Sequence, residues 1–352
     1  MIKNMSKASR SGLINYGIVI VVFIIVKILM GAGAMSNMLQ SLLIPACCYI
    51  VMAISLNLTV GVLGELSLGH AGFMSLGAFS GIIAATALQT AIPFPALRLL
   101  IAIIIGAIFG GIGGVIVGVP VLRLRGDYLA IVTLAFGEII KNIITVLYIG
   151  IDANGLHIAT KQSNLNLLED GIAIVKGPMG AVGVSKISTF TAGFILVIVT
   201  LIIVQNLVNS RQGRAIQALR DNRIAAESVG ISVTKYKLMA FVTSAALAGA
   251  AGALFGLNFS STGAVRFDFN TSILVLVCVV LGGLGNIRGS IIAAAVLYIL
   301  PEMLRSLNIN EYRMLIYAVI LIIVMLVSNN PQLKALFGKI IPKRRKGDAE
   351  IV

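Results

Sequence analysis

The chain has 352 residues, of which 58% are hydrophobic and only 11% are charged, and its mean hydropathy is +1.03. This composition excludes a soluble globular domain. The formal net charge of +14 comes from Lys and Arg at the ends of apolar runs and in short loops, so it reflects orientation in a membrane and does not indicate nucleic-acid binding.

Apolar runs recur along the sequence, and a membrane-spanning helix needs about 20 such residues. They predict an all-α polytopic membrane protein with about ten transmembrane helices, near residues 12–30, 38–58, 67–88, 98–120, 128–149, 188–208, 238–257, 271–284, 289–305 and 312–328. The third and eighth runs are rich in glycine, and either could be a broken or half-length helix. The predicted parts are 1–37 (a cytoplasmic N-terminus and the first helix), 38–328 (the transmembrane domain) and 329–352 (a basic cytoplasmic tail).

The positions of Lys and Arg predict that both termini face the cytoplasm. With the N-terminus inside and the spans alternating, most basic residues fall on the inner side, including those of the loop 210–237. The longest outer segment, about 150–187, contains Gly and Pro that favour turns. It is either a surface cap that faces an extracytoplasmic partner or a passive connector.

A few polar side chains lie inside or beside the predicted spans, where an ionised group costs a few kcal/mol. Glu138 and Lys141 are three residues apart on one helix face, so they form a local ion pair, or else Glu138 faces a pathway. His70, at the start of the third span, is either a hydrogen-bonded packing residue or a pathway contact. Ser67, His70 and Glu138 are therefore the candidate residues of a translocation path.

Small residues repeat every four positions on two predicted helices, at Gly106, Gly110, Gly114 and Gly118 and at Ser244, Ala248, Gly252 and Gly256. Such ladders let helix backbones approach closely, so they predict helix packing. No residue set indicates a catalytic or metal site, and the three cysteines lie inside apolar runs and indicate packing. The Walker motif GxxxxGK[ST] is absent, so we expect no nucleotide site in this chain.

The longest polar run between spans is RQGRAIQALRDNRIAAESVGISVTKYKL, residues 211–238. Its apolar residues recur at helical spacing, Asn222 can cap a second helix, and Gly230 suits a left-handed position that closes it. The run therefore predicts two short helices with a narrow apolar stripe that needs a partner. The alternative is an amphipathic loop that rests on lipid headgroups.

Ala225 and Ala226, followed after three residues by Gly230, resemble the loop by which permease subunits of bacterial ABC importers engage their ATPases, although Ile224 stands where that loop usually has Glu. The strings LGELSLGHAGFMSLGAF, LRLRGDYLAIVTLAFGEI and VVLGGLGNIRGS are similar to the M-type, Liv-like permease of branched-chain amino acid importers. The resemblance covers roughly residues 38–326.

The resemblance implies a permease of the vitamin and ribose importer type in the bacterial plasma membrane, without a cofactor of its own. It implies a second permease subunit, two ATPase subunits that bind ATP, and an extracytoplasmic substrate-binding protein. It also implies that Arg214, Arg220, Ala225, Ala226 and Gly230 couple the permease to the ATPase. A urea or short-amide importer is the nearest alternative. An ion-coupled secondary transporter is a rival with weak candidate groups, and a membrane enzyme lacks a catalytic cluster.

Overall fold

A computed structural model of the chain describes residues 7–122, 127–152, 155–165, 167, 171–306, 319 and 322. Most of the described residues are helical. The α-helices are α1 (Lys7–Gly31), α2 (Asn37–Asn57), α3 (His70–Ala87), α4 (Pro95–Val121), α5 (Asp127–Val146), α6 (Phe190–Asn209), α7 (Arg211–Asp221), α8 (Arg223–Ser228), α9 (Val233–Gly256), α10 (Phe269–Gly282) and α11 (Ile287–Ser306). A π-helix, Leu58–Leu63, continues α2. A first compact unit ends at Ala295, and the last turns of α11 belong to a second unit.

Six helices in the described part of the chain are long and apolar enough to cross a membrane: α2 with its π-helix, α3, α4, α5, α6 and α9. Shorter apolar stretches lie in α1, α10 and α11. The mostly helical fold confirms the predicted class, and nine of the ten predicted spans coincide with a helix. The tenth, 312–328, and the tail 329–352 lie outside the described residues, so the count of ten stays a prediction.

The centre of the first unit is a close packing of α3, α4 and α9. A Cβ atom built on Gly249 of α9 would lie 2.2 Å from the carbonyl oxygen of Gly106 on α4. One built on Gly252 would lie 1.9 Å from the carbonyl oxygen of Met74 on α3. These backbones touch where only glycine fits, so the predicted role of the small-residue ladders in helix packing is confirmed.

Of the two glycine-rich spans predicted as possible broken or half-length helices, the third is a helix of 18 residues, long enough to cross a membrane, and the eighth is the shorter α10. The third span begins only at His70, after the non-helical segment 64–69, and α10 has 14 residues. Gly64 ends the π-helix with φ +80°, a left-handed conformation that favours glycine. The N–H groups of Gly64 and Glu65 still donate to the Thr59 carbonyl oxygen, and the chain then runs in a non-helical conformation to the start of α3.

A small antiparallel sheet joins segments that follow or precede four different helices. Its strands are β1 (Tyr148–Asp152), β2 (Gly155–Ala159), β3 (Ile172–Lys176), β4 (Ala181–Val182) and β5 (Ser261–Thr262), in the order β2-β1-β3-β4-β5. The register pairs Ile149 with Ile158 and Ala181 with Thr262. The segment 150–187, predicted as a cap or a connector, thus contains most of this sheet. We call this the sheet end of the bundle, and the end that carries α7 and α8 the α7–α8 end.

Candidate functional site

The polar run 211–238 forms the two predicted short helices, and α9 begins within it at Val233, five residues before the predicted span. The Ser210 hydroxyl accepts a hydrogen bond from the Gly213 N–H at 3.1 Å and caps α7. Asn222 Oδ1 accepts from the Ala225 N–H at 3.1 Å and caps α8. Gly230 has φ +83°, as predicted for the residue that closes α8.

The apolar stripe of these helices is covered by the chain itself. Ile216 is fully buried against Leu58, Val62 and Leu63 of the π-helix, with Ala240 of α9 in the same cluster. The predicted need for a partner is thus met in large part within this subunit. The stripe indicated correctly which residues are buried, but it could not show what would bury them.

Ala226 is one of the residues to which the resemblance assigns a role in coupling to the ATPase. It is only 4% exposed and packs against Leu219 and Val233 of this chain. The outward apolar surface of α8 is formed instead by Ile224 and Val229, which are 80% and 75% exposed. These two large side chains, and not Ala226, are available to a partner at the α7–α8 end.

Basic side chains of this region differ in what they contact. The Arg214 guanidinium lies at the surface, 3.4 Å from the Asn209 carbonyl oxygen. Arg220 is partly exposed, yet its Nη1 donates a 2.6 Å hydrogen bond to the carbonyl oxygen of Gly61 in the π-helix. Lys237 forms an ion pair with Glu65 in the segment 64–69, and both side chains are largely buried. Sequence reasoning missed this pair, since its members are 172 residues apart.

A cluster of neutral polar groups, which we call the polar centre, lies where α3 and α10 begin. The His70 ring is 2% exposed, and its Nε2 lies 2.8 Å from the Ser55 hydroxyl of α2. The Ala71 N–H donates to the Ser272 hydroxyl at 3.1 Å, and the Leu68 N–H donates to the Thr133 hydroxyl at 3.1 Å. These contacts confirm the hydrogen-bonded role of His70 and join α2, α3, α5 and α10 at one place.

Charged groups border the polar centre on the side of α5. Glu138 and Lys141 form the predicted ion pair, with Glu138 about one third exposed. Glu138 also lines a cavity of about 10 Å³, roughly one water molecule in size, together with Gly72, Asp268 and Ser272. The cavity touches both helix starts, so the structure brings Glu138 to the edge of the polar centre that holds His70.

Asp268 precedes α10 and caps it, since its carboxylate accepts from the Thr271 N–H at 3.0 Å. Burial alone raises the pKa of this carboxyl, but hydrogen bonds from Thr271 and Asn270 and the charge of Lys141 outweigh it, so the pKa lies below its ordinary value. The group is therefore ionised at neutral pH beside the cavity. Among the described residues, no three His, Cys, Asp or Glu side chains are grouped as a metal site.

The predicted pathway residues thus gather at the polar centre and its edge, apart from the coupling residues at the α7–α8 end. Ser67 is buried, and its hydroxyl has no hydrogen-bond partner in the described part of the chain. Sequence reasoning missed Thr133, Ser272 and Asp268. A signal existed in each: a hydroxyl within an apolar helix, or an acid directly before one.

The sequence pattern of the family described as "Branched-chain amino acid transport system / permease component" matches residues 38–325. The chain belongs to this family. It is 32% identical over 318 residues to the high-affinity branched-chain amino acid transport system permease protein LivM of Salmonella typhimurium, covering 83% of this chain and 70% of that protein. It is 33% identical to LivM of Escherichia coli, covering 81% and 69%.

A more distant relative is the ribose import permease protein RbsC of Haemophilus influenzae, 28% identical over 80% of this chain and 81% of that protein. No solved structure matches the chain. The family and the six long apolar helices together make this chain a multi-pass membrane permease, a transport subunit of an ABC importer.

Proposed function

We propose that this chain forms the translocation path for branched-chain amino acids in an ATP-driven importer of a bacterial inner membrane. The observation that carries the proposal is the match of residues 38–325 to branched-chain permeases, supported by identity above 30% to two LivM proteins. The polar centre supports it physically, because broken helices place hydrogen-bonding groups inside an apolar bundle, where permeant polar solutes need them.

ATP binds to and is hydrolysed by partner subunits, which dock at the α7–α8 end. The exposed side chains Ile224 and Val229 supply an apolar surface there, and α7 and α8 also carry the basic residues Arg214 and Arg223. Both termini then face the cytoplasm, as the Lys and Arg distribution indicates. The sheet end faces outward and receives a substrate-binding protein, while a second permease subunit completes the path. Arg220 and Gly230 contribute to coupling through the position and closure of these helices.

In this scheme, the polar centre is accessible in turn from the outer and the inner side of the membrane during transport. In the structure Gly69 and Gly72 lie against α5, since a Cβ on Gly69 would be 2.1 Å from the Thr133 carbonyl oxygen and one on Gly72 would be 2.7 Å from the Gly137 Cα atom. Movement of α5 away from α3 would uncover Ser67, His70 and Glu138 together. The substrate would then meet neutral hydroxyls and helix starts, with Glu138 at the edge.

The test is uptake by proteoliposomes that contain this chain with its partner permease, ATPases and binding protein. Leucine, isoleucine or valine should accumulate only when ATP and binding protein are both present. Urea and ribose serve as competing solutes, because a urea importer shares the sequence motifs and ribose permeases are relatives. Accumulation of urea or ribose with leucine ignored would refute the substrate assignment, and uptake driven by an ion gradient without ATP would refute the importer class.

A further inference from the structure

The segment that leads to the polar centre is tied to the α7–α8 end by two side-chain contacts. The first is Arg220, whose Nη1 donates to the Gly61 carbonyl oxygen at 2.6 Å. Its aliphatic stem lies against Gly64, where an added Cβ would come within 2.9 Å of Arg220 Cγ. Arg220 thus holds both the last turn of the π-helix and the residue that ends it.

The second contact is the ion pair of Glu65 and Lys237, whose side chains are 14% and 7% exposed. Lys237 lies in the first turns of α9, and only residues 229–232 separate α9 from α8. Glu65 is the second residue after the π-helix. The segment 64–69 is therefore connected to α7 by a guanidinium and to the start of α9 by an ammonium.

Apolar packing also holds α7 in place. Ile216 already packs α7 onto Leu58, Val62 and Leu63 without exposure to solvent. A largely buried ion pair adds little stability compared with apolar side chains in the same space, so its presence points to a role in specifying position. The π-helix between these contacts is a rare geometry that often occurs at functional sites.

The far end of the same segment is the polar centre. Leu68 donates its N–H to Thr133, and His70 begins α3 beside Ser55. A movement that is applied at Gly61 and Glu65 therefore reaches the start of α3 through only a few non-helical residues. Because residues 66–69 lie outside any helix, this part of the segment can shift without unwinding α3.

We propose that Arg220 and the Glu65–Lys237 pair act as a two-point link that moves segment 64–69 with α7, α8 and the start of α9. On this inference, which rests on the proposed function, ATP-driven displacement of the α7–α8 end opens the polar centre through these side chains. They are positioning residues, since they act through the segment and do not touch the transported solute.

The experiment measures movement of the segment directly. Leu66 is 36% exposed, so Leu66→Cys offers a reactive thiol within it, whereas Cys47, Cys48 and Cys278 are buried. The complex with its ATPases, in nanodiscs, is labelled with a thiol reagent with and without ATP. ATP should change the labelling rate of Leu66→Cys at least about fivefold, the low end of typical coupling between sites. The unsubstituted complex gives the background.

Arg220→Met and Lys237→Met should each retain the ATPase subunits and hydrolyse ATP, but should lose the change in labelling. Arg220 is partly exposed, so its replacement leaves no buried charge and should not impair folding. Glu65→Lys alone and Lys237→Glu alone should each abolish the ATP-dependent change in labelling. The double variant, which exchanges the two charges, should restore it. His157→Gln, which alters a hydrogen bond to Asp152 at the sheet end, is the control and should leave the change intact.

The link would be overturned by an ATP-dependent change in labelling that survives in both Met variants. It would also be overturned if the double charge exchange restored no more of that change than the single reversals. A third contrary result would be a parent complex that imports leucine without any change in labelling at Leu66→Cys. Labelling needs no transported solute. A complex that shows the change but ignores leucine would therefore refute the substrate proposal and leave the link standing.

Discussion

Gly110 and Gly111 are neighbours on α4 that face different surroundings. Comparing substitutions at the two positions measures how much the close packing of α4 on α9 contributes to stability. A Cβ on Gly110 would lie 2.6 Å from the Ala245 carbonyl oxygen and 2.9 Å from the Gly249 Cα atom. A Cβ on Gly111 would lie 3.5 Å from the Ala246 Cβ atom, an ordinary contact. We predict that Gly110→Ala destabilises the permease and Gly111→Ala does not.

The magnitude follows from comparing the two variants. Both gain the same helix propensity, about 1 kcal/mol for Gly→Ala in a helix interior, so that contribution cancels in the difference. What remains is the overpacking at Gly110, typically about 1–3 kcal/mol. The atoms in contact belong to the α9 backbone, so no rotamer change relieves them and the two helices must separate. Gly110→Ala should therefore be less stable than Gly111→Ala by about 1–3 kcal/mol.

The assay is thermal denaturation of the detergent-purified permease followed by size-exclusion chromatography with fluorescence detection. For domains of 150–250 residues, 1 kcal/mol shifts the melting temperature by roughly 2–4 °C, so the two variants should differ by several degrees. Uptake should fall with Gly110→Ala and remain near the parent rate with Gly111→Ala. Equal melting temperatures would refute the reasoning, because they would mean that α4 and α9 do not touch through their backbones at Gly110.

Three other predictions concern the α7–α8 end, the Glu138–Lys141 pair and the orientation in the membrane. Ala226→Leu should lower the melting temperature of the permease alone, by overpacking that costs about 1–3 kcal/mol, whereas Ile224→Arg should leave it unchanged and release the ATPase in a pull-down. Glu138→Gln should reduce uptake less than the loss of the α7–α8 contacts does, and neutralising Lys141 as well should restore most of the lost uptake. A double-mutant cycle that shows no coupling between the two residues would favour a pathway role for Glu138. Ser163→Cys should react with an impermeant reagent only from outside intact cells, and labelling from the cytoplasmic side would refute the proposed orientation.

Local patterns in the sequence predicted the helices and their ends well. Hydropathy located the spans, because burial in a bilayer requires long apolar runs. The short-range geometry of Asn222, Gly230 and the Glu138–Lys141 pair follows from helical spacing within a few residues. These features depend on neighbours in the chain, so one sequence is enough to predict them.

Contacts between distant segments could not be predicted in the same way. The strands are at most five residues long. β5 pairs with β4, although the helices α6 to α9 separate the two strands in the sequence. Nothing in the sequence near Glu65 indicates Lys237 as its partner. The burial of Ala226 has the same cause, since helical spacing defines an apolar face but not the surface that covers it.

On the proposed function, the polar centre acts as a passage more than as a tight binding site. Its groups largely satisfy one another: His70 lies beside the Ser55 hydroxyl, and the Ala71 N–H donates to Ser272. Only the Ser67 hydroxyl among the predicted pathway residues lacks a partner in the described part of the chain, so little hydrogen-bonding capacity is free for a solute. A path must bind weakly enough to release what enters it. Weak polar groups at broken helices therefore agree with an importer in which a separate binding protein selects the amino acid and the permease only admits it.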